Sequence, residues 1–161
     1  MPLSDVWYSN TSPPVLDIKR VCDEIGSSVF VASMWVCDPE SAMQDQIMRL
    51  NTVKIQIDVF IEAMGGCIGK APPVVLRLWD AVSKDKKFAD PGLVMKEYVY
   101  LGRVMYLSNP MRLRDALDTC SGNPCMQVWV CRLFSDELDT AVELLSRQIY
   151  LIKRQVFESL A

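Results

Sequence analysis

Apolar residues recur along most of this chain at steps of three and four, the period of a helix with one buried face. The clearest stripe is the last: Leu138, Ala141, Val142, Leu145, Ile149, Ile152, Val156 and Leu160. Ser135-Asp136-Glu137 stands before it, an N-cap serine followed by two acids at the positive end of the helix dipole. Arg147, Lys153 and Arg154 lie toward the other end, where the dipole favours cations. This spacing predicts a long final helix from Ser135 almost to the terminus.

A second stripe opens at Asp38-Pro39-Glu40, with Asp as cap, Pro in the first turn and an acid behind it. Met43, Ile47 and Leu50 follow. Asn51-Thr52 interrupts the run as a fresh cap, and Val53, Ile57, Phe60, Ile61 and Met64 continue to the stop at Gly65-Gly66. The expected elements are two consecutive helices, 39–50 and 53–64. Asn109-Pro110 opens a further helix carrying Met111, Leu113 and Leu117, and Ser121-Gly122-Asn123-Pro124 is turn chemistry. Shorter helices are expected over 16–25, stopped by Gly26, and over 74–82. The β-branched and aromatic residues of 28–36 and 94–104 read as short strands. Residues 1–14 form an extended arm ending in Ser12-Pro13-Pro14. The expectation is a single domain, 1–161, mainly α: an up-down four-helix bundle over 15–159 with short β pieces.

Composition changes the picture in one respect. Hydrophobic residues make up 50% of the 161 and charged residues 23%. A domain of this size buries only about 70% of its extended surface, so more apolar surface is present than one core needs. The surplus points to association with copies of itself or with a partner. The net charge of −3 argues against a generally basic nucleic-acid binder while leaving room for a local cationic stripe. The longest apolar runs fall far short of the ~20 residues a membrane helix needs, and Met-Pro-Leu-Ser-Asp carries no secretory pattern. The six cysteines then read as small buried hydrophobes.

Enzyme chemistry finds little footing. There is no histidine, which removes Ser-His and Cys-His pairs and mixed Cys/His zinc sites. Cys120, Cys125 and Cys131 lack the paired spacing of a four-cysteine zinc site. Gly65-Gly66-Cys67-Ile68-Gly69-Lys70 follows a helix instead of a strand and has no Ser/Thr after its lysine, so it is not a phosphate loop. No catalytic residue, metal or cofactor is expected.

Five landmarks in order carry a family resemblance. They are the run from Phe30 through Trp35 to Asp38-Pro39, the break at Asn51-Thr52, and Lys87-Phe88-Ala89-Asp90. The fourth is Leu107-Ser108-Asn109-Pro110, opening a helix that ends in Leu117-Asp118-Thr119; the last is a terminal long helix closing on Phe157-Glu158. In this order the chain resembles the coat proteins of rod-shaped plant viruses, the tobacco mosaic virus-like and benyvirus-like group. It departs from them at Lys87 and Ala89, where Arg and Pro are usual, at Asn109, where an Asp is frequent, and after Thr119, where arginines are replaced by Cys120-Ser121-Gly122-Asn123. The resemblance implies a slewed four-helix bundle with its small sheet at the outer end. It also implies helical self-assembly around single-stranded RNA, with the virion, and the host cytoplasm during assembly, as location.

Candidate RNA contacts under that resemblance are Arg132, just before the expected final helix, Arg49 and Lys54 at the break, and Arg112 and Arg114. Ser135 and Asp136 are candidate acceptors from ribose or base edges. Solvated surface cations and ordinary helix capping explain the same residues. Asp118 and Arg147 are expected to pair across helices as a register-fixing salt bridge, and Phe30, Trp35 and Phe157 to pack between subunits or in the core. Glu40, Asp45, Asp58, Glu62 and Glu97 are candidates for carboxylate pairs between subunits. The competing reading is a small helical adaptor or regulator that oligomerises through its apolar surface without RNA.

Overall fold

The architecture of the computed structural model follows from where these stripes find partners. It describes residues 16–26, 38–84 and 99–160, the side chains of 99–101 excepted. Six helices occur among them: α1 (Ile18–Ile25), α2 (Pro39–Ala63), α3 (Pro73–Ser83), α4 (Val99–Leu107), α5 (Pro110–Thr119) and α6 (Pro124–Leu160). The protein is mainly helical. Among the described residues there is no strand, only an isolated bridge residue at Leu16. The 1–14 arm, the expected strand over 28–36, Phe30, Trp35, Glu97 and the Lys87-Phe88-Ala89-Asp90 landmark lie outside the described residues.

Three helix starts form as the sequence predicts or nearly so. Asp38 accepts from the Glu40 N–H at 3.1 Å, Asn109 from the Met111 N–H at 3.0 Å and Asp17 from the Arg20 N–H at 3.2 Å, each satisfying an orphan donor of a first turn. Gly26 ends α1 in the left-handed region, φ 52°, where its lack of a Cβ removes the steric cost.

Three expectations are corrected. The expected break at Asn51-Thr52 is absent, and α2 runs unbroken for 25 residues. Thr52 Oγ1 donates back to the Met48 carbonyl at 2.9 Å instead of capping a new helix. Leu50, Val53 and Ile57, all fully buried, form one stripe across the supposed interruption. Packing decides, and one landmark of the family resemblance goes with the break. The strand expected over 94–104 is helix from Val99 onward, because Val104 and Leu107 bury together and α4 packs on α6; tertiary contact overrides the β preference of Val and Tyr. The last helix starts at Pro124, not Ser135. Asn123 accepts from the Met126 N–H at 3.2 Å, Pro124 needs no donor in the first turn, and Gly122 turns the chain at φ 84°. The stripe already includes Val128 and Cys131, so α6 extends over 37 residues, about 55 Å.

The core is the antiparallel pair α2 and α6. Three cross-helix bonds fix its register: Ser135 to Asp58 at 2.7 Å, Lys54 to Asp139 at 3.5 Å and Lys153 to Glu40 at 3.2 Å. Equal steps down α2 match equal steps up α6, so the two helices lie straight along each other. Lys153 meets the first turn of α2, and the residues after it run past that helix. Helix α1 docks on α2 through its own unsatisfied end. Gln46 Nε2 donates to the Ile25 carbonyl at 3.0 Å and Arg49 Nη1 to the Glu24 carbonyl at 3.2 Å.

Candidate functional site

Six of the residues singled out from sequence converge: the candidate RNA contacts Lys54, Arg132, Ser135 and Asp136, and the candidate carboxylates Asp58 and Glu62. Lys54 and Asp58 on α2 face Arg132, Ser135, Asp136 and Asp139 on α6, and together with Glu62, Gly66 and Cys67 they line an open cleft of about 340 Å³. The convergence is a product of register: residues four apart on each helix share a face, and the α2–α6 pairing sets those faces opposite each other.

The cleft is tightly bonded and acidic. Ser135 is buried and its Oγ donates to Asp58 Oδ1 at 2.7 Å, so it is neither a cap nor free to meet ribose in this arrangement. Lys54 Nζ donates to Asp58 Oδ2 at 2.8 Å and reaches Asp139 at 3.5 Å. Arg132, half exposed within the first third of α6 and not ahead of it, pairs along its own helix with Asp136 at 3.3 Å. Asp58, Glu62, Asp136 and Asp139 thus face two cations, an excess of negative charge that repels phosphate.

The hydrogen bond that Lys54 donates to Asp58, with both aspartates nearby, raises the Lys54 pKa above its ordinary value against the opposing effect of burial. A raised folded-state pKa contributes stability that is fully present below the unfolded lysine value and is lost as pH climbs through the folded one. Lys54→Met is therefore expected to be less stable than the wild type near neutral pH. The difference between their urea midpoints should shrink as pH rises past the ordinary lysine range; a difference that grows there would contradict the assignment.

The remaining cations go elsewhere. Arg49 bonds Asp45 at 3.0 Å and closes the end of α1. Arg114 is exposed on α5, on the side where its charge reaches Cys22 of α1. Arg112, expected at the surface, is instead 1% exposed and forms the polar centre of the interior. Its guanidinium pairs with Glu137 at 2.6 and 3.2 Å, donates to Ser83 Oγ at 2.6 Å and to the Tyr106 carbonyl at 3.0 Å, and lies 4.6 Å from the Trp79 ring centroid and 4.2 Å from that of Tyr106. One side chain thereby ties α3, α4, α5 and α6 together. An arginine in the interior suits this role, since its planar fork takes a carboxylate bidentately while its faces stack on rings. Its sequence signal was position: Arg112 lies on the face of α5 that carries Leu113, Ala116 and Cys120. Glu137, Trp79, Ser83 and Tyr106 were not singled out from sequence, because only the tertiary structure brings them to Arg112.

The expected Asp118–Arg147 bridge is not formed. Arg147 pairs within α6 with Glu143 at 3.1 Å, and the two residues stay on exposed surfaces. Phe157 is 77% exposed. Cys120 and Cys131 are buried, as expected of small hydrophobes, and burial pushes the Cys131 thiol far up; Cys125 is exposed, and Cys37 lies outside the described residues. Among the described residues no group of three or more Cys, Asp or Glu is placed to hold a metal ion, and no helix is long and apolar enough to cross a membrane. Comparison with protein-family models, with curated proteins and with solved structures returns no match.

Proposed function

We propose that this chain is a structural subunit that assembles with copies of itself into a helical rod, a coat protein with single-stranded RNA as its cargo. In this reading the α2–α6 pair is the spine of a slewed four-helix bundle. The observation that carries the assembly is apolar surface left uncovered on separate faces. Met48 (70%) and Ile55 (54%) project from the middle of α2, and Tyr150, Val156, Phe157 and Leu160 from the end of α6. Scattered exposed apolar residues need no explanation, but rows of them on two elements suit contacts that repeat. Two different faces per subunit are what an open polymer requires.

The RNA half of the proposal rests on the family resemblance and on the two candidate RNA-contacting cations that stay exposed, Arg132 and Arg114. Each subunit would neutralise only a few phosphates, and repetition along the strand would supply the affinity. The acidic excess of the Lys54 cleft favours a second reading, a helical adaptor that oligomerises without nucleic acid. Nuclease-treated protein, followed by sedimentation and negative-stain microscopy, separates the two. Rods or discs are expected, lengthening when RNA is added back, and Arg132→Ala should reduce the RNA protected from nuclease. A stable monomer at high concentration across mildly acid to neutral pH overturns the assembly. Arg132→Ala rods that protect RNA as the parent does overturn the placement of the RNA contact.

A further inference from the structure

Two cysteines meet at the end of the α2–α6 pair, where α2 stops and α6 begins. Helix α2 ends at Ala63, and Gly65 and Gly66 turn the chain at φ 102° and 76°, a region that a Cβ makes costly. The Gly66 N–H donates to the Ile61 carbonyl at 2.8 Å, so the turn is tight and keeps Cys67 at the end of its helix. Cys125 stands in the first turn of α6, directly after Pro124.

Three observations place the two thiols beside each other. The α2–α6 register matches Glu40, Lys54 and Asp58 with Lys153, Asp139 and Ser135. The same steps carried past Asp58 bring Cys67 level with Met126, the chain neighbour of Cys125. Gly66 lines two cavities: it shares one with Cys67 and Arg132, and the other, of about 210 Å³, with Pro124, Cys125 and Val128. Burial pushes the Cys67 thiol up, Arg132 opposes that, and Cys125 and Asp136 add to it through their charge, which sets all three within electrostatic reach of the Cys67 sulfur.

The surroundings of the two differ. Cys125 is exposed and Cys67 half-buried. Cys131 also lies near Cys67, but it is closed off in the interior, as is Cys120. Cys22 sits apart on α1, near Arg114.

We propose that Cys125 and Cys67 are a modification site for hydroperoxides, Cys125 taking the oxidant and Cys67 closing a disulfide with it. The Cys125 thiolate attacks one oxygen of hydrogen peroxide and the O–O bond breaks. Cys125 becomes a sulfenic acid, and the other oxygen leaves as water with the proton of the thiol. The Cys67 sulfur then attacks the Cys125 sulfur, the S–O bond breaks, and the hydroxyl leaves as water with the Cys67 proton. Two thiols have given up two electrons, and peroxide has been reduced to two waters. Exposure sets the order, since the oxidant meets Cys125 first and Cys67 lies back in the turn. The bond ties that turn to the start of α6, beside the Lys54 cleft that Gly66 and Cys67 line. It is independent of the assembly and RNA readings.

Reduced protein treated with a small excess of hydrogen peroxide is expected to lose the mass of two hydrogen atoms without dimerising, and to regain it with dithiothreitol. Cys67→Ser and Cys125→Ser should each abolish the change, and Cys120→Ala and Cys131→Ala should not. In Cys67→Ser, dimedone should trap a sulfenic acid on Cys125; in Cys125→Ser it should trap none on Cys67. The urea midpoint of the oxidised wild type should lie above that of the reduced protein, because the cross-link restricts the unfolded chain. Tandem mass spectrometry that finds Cys67 bonded to Cys131, or two chains joined through Cys125, overturns the pairing. So does a midpoint that falls on oxidation, the mark of a bond made at the expense of the native fold. Protein that gains oxygen and forms no bond overturns it as well, and a sulfenic acid trapped on Cys67 overturns the order of the two.

Discussion

Replacing Glu137 by alanine is expected to lower the free energy of unfolding by about 3–5 kcal/mol, the cost of leaving a buried charge without its partner. Arg112 is 1% exposed and Glu137 25% exposed on their side chains, so the arginine cannot turn to water when the carboxylate is removed. Its bonds to Ser83 Oγ and the Tyr106 carbonyl and its stacking on two rings would remain, but none of these supplies a negative charge. Urea unfolding followed by far-ultraviolet circular dichroism gives the measurement. A loss under about 1 kcal/mol, the worth of a surface pair, would mean that the pair is far more hydrated than its burial implies. Replacing both partners, Arg112→Met with Glu137→Leu, should cost much less than Glu137→Ala alone, because it removes the charge along with its counterion. The single loss measures an uncompensated charge; the double measures what the pair itself contributes.

Phe134→Ala is expected to destabilise by about 3–5 kcal/mol as well, through a cavity instead of a charge. Phe134 is fully buried on α6 and meets Trp79 of α3 edge to face, ring centroids 6.3 Å apart at 69°. Trp79 in turn lies over the Arg112 guanidinium and directs its indole N–H toward Glu137 at 3.4 Å. Removing the phenyl ring therefore undermines the wall of the polar centre. Because the two sites share Trp79, the losses from Phe134→Ala and Glu137→Ala should not add, and a double-mutant cycle should show a coupling on the order of 0.5–3 kcal/mol. Strict additivity would show that Trp79 keeps its place without the ring beneath it.

Much of the candidate site was legible in the chain, though for reasons that the fold altered. Lys54, Arg132, Ser135 and Asp136 stand out in the sequence as groups able to meet RNA, and they do share one cleft. What brings them together is the pairing of two long helices, which fills the cleft with Asp58 and Asp139 and takes up Lys54 and Ser135 in hydrogen bonds. Arg112 shows the limit more sharply. An arginine among Leu113 and Ala116 on one helical face reads as a surface cation by type and as an interior group by position. Position was right, because Glu137, 25 residues away, and Ser83, 29 residues away, were there to receive it.

The sequence by itself determined the helical class, the starts at Asp38-Pro39 and Asn109-Pro110, the stop at Gly26 and the apolar stripes that form the core. These are local matters: a cap needs a side-chain oxygen within three residues, and a stripe needs only spacing. The tertiary structure decided where helices continue and which charges are spent. Asn51-Thr52 and Ser135 are acceptable caps in isolation, yet burial of Leu50 with Val53, and of Cys131 with Leu138, makes an unbroken helix the lower-energy choice at both places. A cap is worth about 0.5–2 kcal/mol, and each fully buried aliphatic side chain about 1.5–3 kcal/mol. Where the two compete, burial outweighs the cap, and burial depends on a partner helix that no local window of the sequence contains.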